Sequence, residues 1–274
     1  MNAEEYFIET MAGASSAIGD DGALMGSCVY SKDLFFEGVH FSRKWMCLYD
    51  IATKAMMVNI SDAVAMNAVP KYALIGIAMP SNMPLHEMRE LTQGFLDTAT
   101  AFNIEIIGGD TIANTKLDIS VTLVSVSSRP LLRRGIKQGD CLAYTGVLGR
   151  SATELRYLLS GGRLHRRAKF TNIHVRQQFI ADATVSLHSG MDISDGLFCD
   201  LEKMLRINRL GVRFLAKIPT LIACSGEEYE MLVAFSPRKR RTLQRLAQKH
   251  RVRLTIFGRS RRGTFKSYCK SHHF

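Results

Sequence analysis

A chain of 274 residues with 46% hydrophobic and 22% charged residues has the composition of a folded protein of one large or two ordinary domains, not of a disordered or low-complexity chain. Its longest apolar run, residues 72–79, falls far short of the roughly 20 residues that a membrane helix needs. The net charge of +11 is unevenly spread: the first 130 residues carry 8 Lys/Arg against 15 Asp/Glu, and the remainder 28 against 10.

The chain opens with Glu4, Glu5 and Glu9 and no basic residue before Gly13. That is unlike a secretion signal, so a cytoplasmic location is expected. Residues 28–36 read as a strand. Asp50 is placed to cap a helix running to about Met66, ended by Asn67 and Pro70. Residues 72–79 read as a buried strand, 85–102 as a helix and 104–107 as a short buried strand. Residues 117–127 alternate apolar and small polar side chains, as a half-buried strand does. Pro130 and a basic cluster interrupt the pattern at 128–134 and suggest a domain boundary, giving domains 1–130 and 131–274. Beyond it come a strand at 141–145, helices at 151–159, about 174–187 and 196–208, and strands near Val212, Met231 and Leu254. Residues 238–253 read as an amphipathic helix with a basic outer side. The basic half could attract phosphates or nucleic acid, but a solvated basic face is the simpler reading. No aromatic residues interleave with these charges, which argues against single-stranded nucleic acid. The six cysteines, Cys28, Cys47, Cys141, Cys199, Cys224 and Cys269, form no CxxC pair and no zinc spacing, and are expected to be reduced thiols.

Five acidic motifs punctuate these elements. They are Ile18-Gly19-Asp20-Asp21-Gly22; Ser31-Lys32-Asp33 followed by Glu37-Gly38-Val39-His40-Phe41; Asn59-Ile60-Ser61-Asp62; Gly108-Gly109-Asp110-Thr111; and Met191-Asp192-Ile193-Ser194-Asp195-Gly196-Leu197. Singly, each has a plain structural explanation. Gly-Asp-Asp makes turns, Asp62 could be an exposed helix residue, Gly-Gly-Asp-Thr could be a tight turn, and Ser194 or Asp195 could cap a helix. Together they carry more. Asp110 follows an apolar strand, and Asp62 is flanked by Val58, Ile60, Val64 and Met66. Carboxylates among apolar residues need cations. Magnesium takes oxygen ligands and joins carboxylates to nucleotide phosphates, and adjacent glycines let the backbone approach phosphate oxygens. No GxxxxGK[ST] loop and no GxGxxG is present, so phosphates would be held mainly through metal ions, with Arg133, Arg134 and backbone amides assisting.

From about Ile18 to Phe235, this ordered set resembles the thiamine-monophosphate kinases, of the superfamily of aminoimidazole-ribonucleotide synthetase and selenophosphate synthetase. The resemblance also takes in Lys54-Ala-Met-Met-Val-Asn-Ile-Ser-Asp62-Ala-Val-Ala-Met and Ser225-Gly226-Glu227-Glu228-Tyr229-Glu230. It implies a two-domain fold, an N-terminal α+β domain whose strands form a barrel across a homodimer followed by an α/β domain. It implies phosphorylation of thiamine monophosphate by ATP with several magnesium ions. Asp21, Asp33, Asp62, Asp110 and Asp192 match the family's magnesium ligands, with Asp195 as a further ligand and Ser31 as a minor one. Ser194, Gly109, Asp110 and Arg133 match nucleotide contacts, and His40 and Glu227 contacts to thiamine phosphate. The alternative is another ATP-dependent synthetase of the superfamily, acting on a ribonucleotide or selenide; a weakened paralogue or a nucleic-acid-binding protein is the reading from another class.

Four departures stand out: Lys32 where the family commonly has Thr, Glu228 for a usual Asp, a short 218–225 link, and the ending Ser271-His272-His273-Phe274.

Overall fold

The computed structural model describes residues 3–13, 15 and 17–270; the atypical ending at 271–274 lies outside the described residues. The first half runs α1 (Ala3–Ala12), β1 (Ala23–Met25), β2 (Cys28–Phe36), α2 (Leu48–Ala65), β3 (Val69–Pro80), α3 (Leu85–Phe102), β4 (Glu105–Asn114) and β5 (Asp118–Val126). Its strands form one sheet in the order β1-β2-β5-β3-β4. Only the β3–β4 pair, joined through α3, is parallel.

The second half runs β6 (Cys141–Thr145), α4 (Arg150–Leu159), α5 (Gln177–Ala183), β7 (Ser189–Ile193), α6 (Leu197–Asn208), β8 (Gly211–Phe214), α7 (Thr220–Ala223), β9 (Glu230–Phe235), α8 (Arg240–Lys249) and β10 (Leu254–Arg261). Its strands form a sheet in the order β7-β9-β6-β10-β8, antiparallel at every pairing. No helix among the described residues is long and apolar enough to cross a membrane.

Side-chain alternation sets the first sheet on its helices. Val29, Phe35, Ile119, Val121 and Leu123 are buried beneath α2 and α3, whereas Tyr30, Leu34, Tyr72 and Leu74 on the other face stay accessible. The two helices cross closely at Gly94, where a Cβ would stand 2.4 Å from the Tyr49 carbonyl oxygen. One apolar cluster continues from this sheet to Ala143, Phe179, Met231, Val233 and Phe235 of the second half, and α2 also meets β7.

Three sequence expectations need correction. Asp50 does not cap α2: Cys47 occupies the cap position and Asp50 lies in the first turn. The Gly108-Gly109-Asp110-Thr111 motif does not follow a short strand but lies inside β4, paired in parallel with residues 74–77. That pairing needs glycine, because a Cβ on Gly109 would fall 1.8 Å from the Ile75 carbonyl oxygen. Nor are all six cysteines thiols. Cys224 and Cys269, 45 residues apart, form a disulfide, while Cys28, Cys47, Cys141 and Cys199 are free. Spacing alone could not show a pair brought together by the packing of the 265–270 segment on α6. Alkylating the unreduced, denatured protein is expected to label four cysteines, and six after reduction. Six without reduction would refute the disulfide.

Candidate active site

The site is built around α2. Of its 18 residues, Leu48, Ile51, Ala52, Lys54, Ala55, Met56, Met57, Asn59, Ile60, Ser61, Ala63, Val64 and Ala65 are buried, so the helix has almost no solvent side and its polar side chains must find partners inside the protein. They do. Asn59 donates to the Val121 carbonyl at 2.7 Å and accepts from the Ser31 hydroxyl at 2.7 Å. Ser61 donates to Asp192 Oδ2 at 2.8 Å, and Lys54 to Glu227 Oε2 at 2.8 Å.

Where α2, β2, β7 and the turn before β1 meet, Asp62, Asp33, Asp192 and Asp21 converge. Asp21, Asp62 and Asp192 each offer a carboxylate oxygen within 4.8 Å of the others, and Asp33 lies close enough for its charge to raise the Asp62 carboxyl. Arg133 is the counter-charge: its Nη2 lies 2.5 Å from Asp21 Oδ1, and its Nε donates to the same oxygen at 3.1 Å. One guanidinium cannot balance four carboxylates. Burial, and then the neighbouring aspartates, raise Asp62 well above the ordinary carboxylate value. Burial lifts Asp33 from 3.8 to about 6 and Asp192 to about 8. It also raises Asp21, against the pull of Arg133.

This arrangement fits a divalent cation. Asp21 Oδ2 and Asp33 Oδ2 are buried without a hydrogen-bond partner, and a set of hard carboxylate oxygens is the donor chemistry of magnesium.

The remaining expected residues lie around this cluster or apart from it. The Ser31 hydroxyl is engaged with Asn59. Asp195 forms an ion pair with Lys203, and its N–H donates to Asp200 Oδ2 at 3.1 Å. Neither Ser194 nor Asp195 caps α6, whose cap is Gly196. The Ser194 carbonyl accepts the Glu227 N–H at 2.7 Å. Gly109 and Asp110 are exposed on edge strand β4, with the Thr111 N–H donating to Asp110 Oδ1 at 2.8 Å; the structure does not bring Asp110 into the buried cluster. His40 Nδ1 accepts the Phe36 N–H at 3.0 Å, and its ring stacks on Phe35, so it closes the turn after β2. Lys32 turns away from Asp33, its ammonium donating to Ser120 Oγ at 2.6 Å.

Comparison with known proteins decides the family. Residues 19–127 match the family described as AIR synthase related protein, N-terminal domain. The thiamine-monophosphate kinase of Rhodopirellula baltica is 31% identical over 251 residues, covering 80% of this chain and 76% of that one. The chain belongs to the thiamine-monophosphate kinase family. The enzyme of that name from Leptospira interrogans is 29% identical, covering 74% of this chain and 73% of its own. The fold agrees: a solved structure described as AaThiL complexed with AMPPCP and TMP superposes with a TM-score of 0.87 at 24% identity, covering 100% of this chain and 99% of that chain.

Within this thiamine-monophosphate kinase fold, sequence reasoning passed over three charged side chains. Lys54 lay inside a quoted motif without a role. Asp200 is fully buried; its Oδ1 has no hydrogen-bond partner but forms an ion pair with the Lys203 ammonium at 3.8 Å. An apolar helix register could have flagged Asp200, the fourth residue of α6, between Phe198 and Leu201.

The raised carboxyls make stability depend on pH. Each holds its proton more tightly in the native state than in the unfolded chain, so its contribution favours folding below about pH 4 and is lost as pH rises through the native value. In chelator, the melting temperature is expected to fall between about pH 4 and pH 8, the loss from Asp33 being complete near pH 6 and that from Asp192 near pH 8. Magnesium should restore it more at pH 8 than at pH 6, and Asp192→Asn should flatten the fall. A metal effect independent of pH would overturn this account.

Proposed function

We propose that this chain transfers the terminal phosphoryl group of ATP to thiamine monophosphate, giving ADP and thiamine diphosphate. The observation that carries the reading is the buried aspartate cluster in a chain 31% identical to a thiamine-monophosphate kinase. The nucleophile is a phosphate oxygen already ionised near neutral pH, so no general base is needed and the chemistry reduces to alignment and charge balance.

Asp21, Asp33, Asp62 and Asp192 would hold magnesium, with Asp195 and Ser31 at the margin, where Lys203 now stands as the cation beside Asp195. When bound, magnesium supplies charge neutralisation and alignment of phosphate oxygens. Arg133, held by Asp21, adds a fixed positive charge beside the same oxygens, and Ser194, Gly109 and Asp110 would contact the nucleotide. His40 and Glu227 would contact thiamine monophosphate. A cavity walled by Phe198, Phe214, Ile218 and Tyr268 offers aromatic and apolar surface suited to the rings of that substrate.

The domain division at about residue 130 and a homodimer complete the reading. The first sheet leaves Tyr30, Leu34, Tyr72, Leu74, Ile107 and Ile112 accessible, apolar side chains of the kind that mark an interaction surface. A second copy packed on that face would form the expected barrel.

Two experiments test this. With ATP and magnesium, the chain is expected to convert thiamine monophosphate to the diphosphate. Asp62→Asn should lower kcat by more than the roughly 10–100-fold typical of losing an outer-shell partner, with the far-UV spectrum unchanged. Near-normal turnover in that variant would sink the metal-cluster mechanism. Light scattering at micromolar concentration should give twice the chain mass, and Tyr72→Glu should shift it toward the monomer. A clean wild-type monomer would rule the dimer out.

A further inference from the structure

We propose that Lys54 is a positioning residue for the acceptor substrate, its buried ammonium setting the carboxylate of Glu227. This rests on the reading of Glu227 as an acceptor contact. The Lys54 side chain has no accessible surface. Its ammonium lies 3.7 Å from the centre of the Phe170 ring and 5.8 Å from that of Phe35, and Glu227 Oε2 is its one hydrogen-bond partner among the described residues. A buried ammonium is costly without a paired charge, so the pair is fixed from the lysine side. Glu227 keeps 21% of its side chain accessible, and its Oε1 has no hydrogen-bond partner among the described residues. Lys54 therefore takes one carboxylate oxygen and leaves the other for an incoming group.

The backbone at Glu227 supports a built position. Its φ of 53° lies in the left-handed region, unusual for a non-glycine residue and persistent only when the surroundings over-determine it. Its N–H donates to the Ser194 carbonyl at 2.7 Å, and its carbonyl accepts from Ser151 Oγ at 2.7 Å. Three elements thus pin one residue: the turn after β7 through the N–H, α4 through the carbonyl, and α2 through the side chain. The same α2 carries Asp62 into the carboxylate cluster and Ser61 onto Asp192. A single rigid helix therefore fixes the distance between the metal end of the site and the acceptor end, the quantity on which in-line transfer depends.

The test is steady-state kinetics on the full chain with Lys54→Met, Lys54→Arg, Glu227→Gln and the Lys54→Met/Glu227→Gln double variant. Lys54→Met should raise KM for thiamine monophosphate by roughly 10–100-fold, as loss of an outer-shell partner does, and lower kcat with it, while KM for ATP changes little. Lys54→Arg should restore part of the loss. In the Glu227→Gln background, Lys54→Met should add little, because the lysine acts through that carboxylate. If Lys54→Met does not fold, the double variant, which leaves no unpaired buried charge, is compared with Glu227→Gln alone. A lower melting temperature with unchanged KM for thiamine monophosphate, or a full Lys54→Met penalty in the Glu227→Gln background, would overturn the proposal alone. Absence of wild-type turnover of thiamine monophosphate would overturn the parent reading and this one with it.

Discussion

Four carboxyls share one largely enclosed space, and much of the molecule serves to keep them there. Like charges at such separations repel strongly where the effective dielectric is low, and the response is visible in Asp33 and Asp62, whose carboxyls are both held above the ordinary carboxylate value. The protein tolerates this because the elements carrying the acids cannot move apart. α2 is enclosed on nearly every side, β2 is locked between β1 and β5, and β7 is pinned along β9. A cation held there would relieve that repulsion.

The cluster also joins the two halves of the chain. Asp21, Asp33 and Asp62 come from the first half and Asp192 from the second, with Arg133 from the segment between the sheets. The apolar core does the same, running without a break from Phe35 and Ile119 to Val233 and Phe235. A site assembled from both halves is complete only when the whole chain has folded, which suits a reaction that depends on alignment more than on any single reactive side chain.

Much of this was legible in the sequence, for identifiable reasons. β2, α3 and β6 fall at the expected boundaries, because clean alternation or helical spacing ends at turn residues there. Asp21, Asp33, Asp62 and Asp192 were each marked by an acid set against glycine or apolar neighbours. What escaped was decided by tertiary contact. β7 is five residues, all buried, too short to show a period. The continuation of β4 through two glycines depends on the carbonyl of Ile75 in the next strand. Lys54 stood in a motif with no role assigned, and only the packing of Phe170 and Glu227 against it shows one.

The Cys224–Cys269 bond reaches beyond the folded molecule. The loop that it closes contains β9, α8 and β10, including two strands of the second sheet. With its ends 45 positions apart in sequence, such a cross-link removes loop-closure freedom from the unfolded chain worth about 4 kcal/mol in the chain-entropy view. The same native contacts would then be opposed by two different denatured ensembles, one cyclised and one linear. Protein made under oxidising and reducing conditions would share a fold and a site yet differ in how readily each is lost.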